Sequence, residues 1–277
     1  MIALRTIAKI EIDGLKLEYQ RQGTKDPTIV FLHGNSACKE VFYKQFEALN
    51  NDRFSLLAID LPGHGGSSNA LDPEQTYTIP SYAQTIDKAI KALGVKDYIV
   101  VGWSLGGQIA LEMAGCNMDL KGMMIFGSPP AGPGLEKVQQ GFVPTAFEII
   151  ADDTASPEAK MEAWLGAVYA TLDPIPDNFR AAFIRTDPNA RDRMLQHWLS
   201  AESGHDQLET ATHWKKPICV VHGNLEAFVS LDYLKQTKWR NLWGGQIFEL
   251  PKAGHATFVE DPHGFNAVLQ KFAADVL

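Results

Sequence analysis

Ser104 sits in GWSLGG (102–107), after the apolar run YIVV (98–101) and at the head of LGGQIALEMAG (105–115), a helix-forming stretch. The pentapeptide Gly102-Trp103-Ser104-Leu105-Gly106 fits G-x-S-x-G between a strand and a helix, the setting that holds a nucleophilic hydroxyl out at a sharp turn. Glycines suit both flanks because side chains there would collide with neighbouring backbone. A serine hydroxyl is a weak nucleophile until a base takes its proton. Acyl transfer therefore needs a base, an acid to orient that base, and N–H donors for an oxyanion. A plain tight turn of small residues needs none of these, so the rest of the chain decides.

Of the eight histidines, His255 in PKAGHATFVEDP (251–262) lies just after the last expected strand, where a base reaches over the sheet edge. His197, His205, His213 and His263 read as surface or core residues, and His64 in DLPGHGGS (60–67) as structural. His33 and His222 end strands, each ahead of a glycine. The acid is expected after a late strand, in the order serine, acid, histidine. GMMIFG (122–127) is followed by Ser128-Pro129-Pro130, with no carboxylate. ICVVHG (218–223) is followed by Asn224-Leu225-Glu226, which makes Glu226 the candidate. Asp232 is the fallback, better explained as a charge at a helix N-terminus. Leu105, next after the serine, and Asn35, in the loop His33-Gly34-Asn35-Ser36, are the expected oxyanion donors.

These residues are far apart in the chain, so a scaffold must gather them. TIAKIEIDG and LKLEYQ (6–20) alternate around a DG turn and predict an antiparallel hairpin. Six apolar runs come after it: TIVFLHG (28–34), FSLLAID (54–60), YIVVGW (98–103), GMMIFG (122–127), ICVVHG (218–223) and QIFELP (246–251). Continuous apolar strands suit a sheet buried on both faces, which is usually parallel. Helical segments alternate with them at 81–94, 105–115 and 261–277, the first burying Tyr82, Ile86, Ala89, Ile90 and Leu93, the last Phe265, Val268, Leu269 and Phe272. The expectation is an α/β fold, a mostly parallel eight-stranded sheet with helices on both faces. Between GSPP (127–130) and KKPICVV (215–221) only helical stretches occur, a gap too long for a loop. An inserted helical cap is expected at 131–212, with 1–130 and 213–277 as the core domain.

The chain has 277 residues, with 25 basic against 33 acidic and a net charge of −8. With no basic run, nucleic acid and anionic membrane are poor partners, and a small molecule is the expected one. Cys38, Cys116 and Cys219 show neither metal spacing nor a disulfide framework, which suits a reducing compartment. No signal peptide or membrane span is read, so a cytoplasmic location is expected. There is no H-E-x-x-H, and GWSLGG lacks dinucleotide-fingerprint spacing, so neither metal nor cofactor is expected.

HGNS, DLPGHGGS, GWSLGGQIALEM, GSPP, HGNLEAFV and AGHATFVEDP together resemble the α/β-hydrolase fold over essentially the whole chain. A narrower resemblance, to the metal-independent N-acyl-homoserine lactonases of that fold, rests on HGNS with GWSLGG, on GSPP followed by QQGF (139–142), and on LEAFVSLDY (225–233). RTDPNARDRM (185–194) and NLWGGQ (241–246) carry most of its weight. It implies Ser104 as nucleophile, His255 as base, Glu226 as acid, and Asn35 and Leu105 as oxyanion donors. Trp164 stands where those lactonases have a tyrosine that hydrogen-bonds substrate; an indole N–H donates but cannot accept. An N-acyl chain needs an apolar slot, for which Trp103, Phe142, Phe147, Trp164 and Tyr169 are candidates, with Met161 and Phe183 behind them. The bland alternative is that these aromatics form the cap's own small core. Two rivals remain: a carboxylesterase or carbon–carbon bond hydrolase with the same triad, and a ligand receptor on a hydrolase scaffold.

Overall fold

The computed structural model describes residues 5–49, 53–144, 156–200 and 204–277. Arg5–Ile12 (β1) and Leu15–Gln22 (β2) form the expected hairpin, turning at Asp13 and Gly14 with φ of 50° and 82°. Positive φ at both turn residues matches the right-handed twist of the strands they join. The continuous apolar runs become Thr28–Leu32 (β3), Ser55–Ile59 (β4), Tyr98–Trp103 (β5), Met123–Phe126 (β6) and Ile218–Gly223 (β7), in which every residue is buried. Phe248–Leu250 (β8) is short and only partly buried, as an edge strand must be.

The strands make one sheet in the order β1-β2-β4-β3-β5-β6-β7-β8. Every pairing from β4 to β8 is parallel, and β1 and β2 add an antiparallel edge. This is the α/β-hydrolase fold. The chain runs outward from β3 to β4 and then returns to β5 on the other side of β3. Ligands in open α/β sheets bind beyond the carboxyl ends of strands at such a reversal. The end of β3 leads to Asn35, the end of β5 to Ser104.

Among the described residues, the helices of seven residues or more are Ile79–Ala92 (α1), Leu105–Gly115 (α2), Leu135–Gly141 (α3), Pro157–Val168 (α4), Asp177–Arg185 (α5), Pro188–Trp198 (α6), Gln207–His213 (α7) and Pro262–Val276 (α8). Helix α1 begins two residues before the expected Ser81, because Thr78 caps it by accepting the Ser81 N–H at 3.2 Å. It buries Tyr82, Ile86, Ala89 and Ile90 as expected. In α8, Phe265, Leu269 and Phe272 are buried but Val268 is only half-buried. Asn266 is buried as well, and its side chain accepts a hydrogen bond from Gln45 at 2.9 Å.

Helices α3 to α7 all lie between β6 and β7. The stretch RTDPNARDRM fastens α6 to the loops after β3 and β4. The Tyr77 hydroxyl donates to Asp187 (2.7 Å), the Asp187 N–H to Gly63 O (2.8 Å), Arg185 to Ser67 O (2.8 Å) and Arg191 to Ser36 Oγ (3.4 Å). No helix among the described residues is long and apolar enough to cross a membrane.

Candidate active site

Ser104 has φ 53° and ψ −116°, a region that costs a non-glycine residue about 1–3 kcal/mol unless its surroundings hold it there. They do. Its N–H donates to Phe126 O (2.9 Å), and its carbonyl accepts from the N–H groups of Gly107 and Gln108 and from Ser128 Oγ (2.6 Å). A Cβ on Gly102 would run into the carbonyl of Gly106, and one on Gly106 into the carbonyl of Leu32. The elbow therefore closes only with glycine at both places.

His255 lies in the loop between β8 and α8. The Trp103 indole N–H donates to its carbonyl (3.0 Å), and Glu260 accepts the N–H groups of Gly254 (2.7 Å) and Ala256 (3.1 Å) on either side. The ring packs where Gly127, at φ 61°, has no side chain; a Cβ there would stand 2.6 Å from His255 Cε1. Behind the ring, Nδ1 lies 2.9 and 3.0 Å from the two oxygens of Glu226, and Oε1 also accepts the Phe228 N–H at 2.8 Å. The acid and base loops are laced together, Asn224 N–H donating to Leu250 O and Leu225 N–H to Ala253 O. Both side chains are shielded, 1% exposed for Glu226 and 4% for His255. Burial opposes ionisation of Glu226, but the charge and hydrogen bond of His255 outweigh it and hold the carboxyl below the usual range.

Asn35, Ser104, Leu105 and His255 share the wall of one cavity of about 80 Å³. The first N–H groups of a helix have no partner within it, and Leu105 is the first residue of α2. Its N–H and that of Asn35 are engaged by no backbone or side-chain acceptor among the described residues. With the positive end of the helix dipole beside them, they suit a developing negative charge.

Phe142 and Trp164, nominated for an apolar slot, are on the cavity wall. Trp103 and Tyr169 are not, and for these two the expectation is corrected. As a residue of β5, Trp103 is turned into the core against Phe258 (centroids 4.9 Å apart) with its N–H occupied by His255. Tyr169 packs beneath it, between Trp103 and Phe179 at 5.8 and 4.8 Å. Met161 and Phe183 are also off the wall, and Phe147 lies outside the described residues. Asp232 is in the first turn of the helix Leu231–Gln236, and Glu226 occupies the place beside the imidazole.

His33 and His64 are buried and structural. The His33 Nδ1–H donates to Gly34 O (2.8 Å) while Nε2 accepts the Leu61 N–H (3.0 Å). Burial lowers the pKa of His33 to about 4 and of His64 to about 3.

Much of the remaining wall comes from residues the sequence did not nominate: Met194, Leu195 and Trp198 of α6, and Phe228 beside the acid. Phe142 meets Trp198 edge-on at 5.2 Å, and Phe228 meets the His255 ring edge-on at 4.8 Å. The apolar spacing of Met194, Leu195 and Trp198 marks a helix face but not what that face covers.

A model of the alpha/beta hydrolase family matches residues 29–268. Among solved structures, the N-acyl homoserine lactonase AidH, a mutant complexed with N-hexanoyl homoserine lactone, superposes with a TM-score of 0.90 at 31% identity, covering 98% of each chain. The pimeloyl-[acyl-carrier protein] methyl ester esterase of Vibrio vulnificus is 26% identical over 93% of this chain and 98% of its own. The 2-succinyl-6-hydroxy-2,4-cyclohexadiene-1-carboxylate synthase of Escherichia coli is 33% identical over 88% of this chain and 92% of its own.

Proposed function

This chain belongs to the alpha/beta hydrolase family, and from that premise we propose that it opens the lactone ring of N-acyl-homoserine lactones through a Ser104–His255–Glu226 triad. The observation that carries the proposal is the imidazole of His255, held 2.9 Å from a buried carboxylate on one side and sharing a cavity wall with a strained serine on the other. Ser104 Oγ attacks the lactone carbonyl as His255 Nε2 takes its proton. The oxyanion rests on the N–H groups of Leu105 and Asn35. His255 then protonates the leaving ring oxygen, and the acyl-enzyme keeps the freed alcohol within its acyl part. Water activated by the same imidazole releases the N-acyl-homoserine. Glu226 fixes the tautomer and stabilises the imidazolium.

In this reading residues 131–212 are a cap over the core formed by 1–130 and 213–277. Phe142, Trp164 and Trp198 receive the acyl chain. The likeness to AidH supports a lactone as substrate. The cavity of about 80 Å³ is far smaller than the roughly 300–1,000 Å³ of ordinary ligand pockets and favours short acyl chains. The second reading, a carboxylesterase or carbon–carbon hydrolase with the same triad, is supported by the esterase and synthase relatives.

The test is mass-spectrometric analysis of products from lactones of graded chain length, run beside methyl and aryl esters. Ring-opened product from short-chain lactones, lost in Ser104→Ala and insensitive to chelators, is the expected result. Rapid ester hydrolysis with lactones left intact would move the assignment to the second reading.

A further inference from the structure

On the far end of α2, away from the elbow, three groups of different chemistry converge on one point. Glu112 and Cys116 stand one helical turn apart, and His205 comes from the turn that opens α7. Glu112 Oε1 lies 2.8 Å from His205 Nδ1, and Cys116 Sγ lies 3.7 Å from that nitrogen and 3.9 Å from that oxygen. We propose that these three side chains bind a thiophilic divalent cation of the zinc class.

The separations suit it. With metal–ligand bonds of about 2.0–2.3 Å, tetrahedral ligands sit about 3.3–3.7 Å apart. The two contacts to sulfur are already near that range, and only the nitrogen–oxygen pair must widen, by about half an ångström. A carboxylate, an imidazole and a thiolate form a mixed set that selects zinc-like ions over calcium or magnesium. Three protein ligands leave a fourth position for water.

The surroundings were shaped for these groups. A Cβ on Gly115 would stand 2.9 Å from His205 Cγ, and one on Gly204 (φ 104°) would stand 2.9 Å from Glu112 Oε2. The helix thus leaves a slot for the imidazole, and the turn leaves one for the carboxylate. Glu112 also lacks a strong counter-charge. Its side chain is 2% exposed and lies in the last turn of α2, where the helix dipole disfavours an anion. Among the described residues its only ion-pair partner is the half-exposed His205 ring, and no lysine or arginine reaches it. The His205 backbone N–H donates to Oε2 at 3.0 Å and the ring lies 2.8 Å from Oε1; a divalent ion would add to these hydrogen bonds the full counter-charge they lack.

On binding, the Cys116 thiol releases its proton to solvent. The imidazole carries its own proton on Nε2, so that Nδ1 presents a lone pair. The ion ties α2, which begins at the nucleophile, to the turn entering α7, where Gln207 Nε2 donates to Gln108 O at 3.1 Å. The site is remote from Ser104, so the ion acts on the joint between insertion and core rather than on the chemical step.

Tag-free protein titrated with Co²⁺ should take up one equivalent and develop a thiolate-to-cobalt charge-transfer band, which Zn²⁺ then abolishes by displacement. Cys116→Ser should remove the band and His205→Ala should weaken Zn²⁺ binding at least about tenfold. Both residues are exposed enough for the variants to fold, and the buried Cys38 and Cys219 remain in them as internal controls. Absence of the band in the parent protein, or an equal band in Cys116→Ser, would overturn the proposal.

Discussion

Replacing Glu226 by Gln changes one oxygen for an NH2 at constant size, and the hydrogen bonds around that oxygen fix the outcome. Nδ1 of His255 straddles both carboxylate oxygens at 2.9 and 3.0 Å, while Oε1 also takes the Phe228 N–H at 2.8 Å. If the amide oxygen stays at the Oε1 position it keeps the Phe228 N–H and a share of the Nδ1–H, but the NH2 at the Oε2 position then stands 2.9 Å from the same Nδ1–H, donor against donor. Moving the imidazole proton to Nε2 relieves that contact, but Nε2 then has no lone pair for the Ser104 proton. The opposite amide orientation sets the NH2 against the Phe228 N–H and leaves a buried donor unpaired, at about 1–3 kcal/mol. In either state the imidazolium formed during attack has lost its carboxylate. A hydrogen bond to a charged group is worth about 1.5–3 kcal/mol against about 1 for a neutral one.

Together these losses come to about 1.5–5 kcal/mol, or about 10–10⁴ in rate. The upper end matches the cost of the same acid-to-amide change in serine proteases, about 10⁴. The assay is kcat and KM for a short-chain lactone, with urea unfolding alongside to show that the variant folds. Glu226 lies behind the ring and off the cavity wall, so the loss should fall on kcat with KM little changed. A folded variant retaining kcat within about tenfold of the parent would refute the tautomer argument and with it the triad.

The two buried histidines weaken the fold in acid. His33 and His64, lowered by burial to about 4 and about 3, stay neutral in the native state, whereas unfolding lets them take up protons below their ordinary value of 6.5. Their contribution is complete above pH 6.5 and is lost as pH falls toward 4 for His33 and toward 3 for His64, with a slope near pH 5 of about 2.7 kcal/mol per pH unit for the two. His64→Asn keeps a donor for Pro62 O and should cut that contribution to about 1.4 kcal/mol per unit in urea unfolding between pH 4.5 and 6.5; an unchanged slope would contradict it. Lys39, 1% exposed, bonds Glu18, Glu40 and Asp60 at 2.7, 2.6 and 2.9 Å. Lys39→Met strands the fully buried Asp60 and should cost about 3–5 kcal/mol, partly restored by adding Asp60→Asn; a loss below about 1 kcal/mol would show the network to be neutral.

How legible each part was depends on what fixes it. The sheet was readable because a strand buried on both faces is almost wholly apolar, and β3 to β7 are, with Thr28, Ser55 and His222 as the polar exceptions near strand ends. Ser104 was readable because its neighbours are dictated locally, the collisions at Gly102 and Gly106 admitting only glycine. His255 and Glu226 were reachable from strand order, since each is held by backbone bonds next to a strand end. The cavity wall obeys no such rule. Trp103 and Trp164 are equally aromatic, yet one turns into the core beneath His255 and the other faces the cavity, and only packing between distant segments decides which.

The same limit hides Trp198 and the Glu112–Cys116–His205 cluster, whose histidine is 89 residues from its cysteine. It also hides a link that joins the two parts of the proposed mechanism. Phe142, on the cavity wall, bridges to Val229 in the loop carrying Glu226, and the Val143 N–H donates to Phe228 O at 2.8 Å. Phe228 in turn packs edge-on against His255 and supplies the N–H that Glu226 accepts. The segment that shapes the proposed slot for substrate is thus bonded to the segment that holds the acid of the proposed triad. A substitution at Phe142 that displaces this pairing therefore reaches kcat as well as KM, which a residue serving only as an apolar wall would not do.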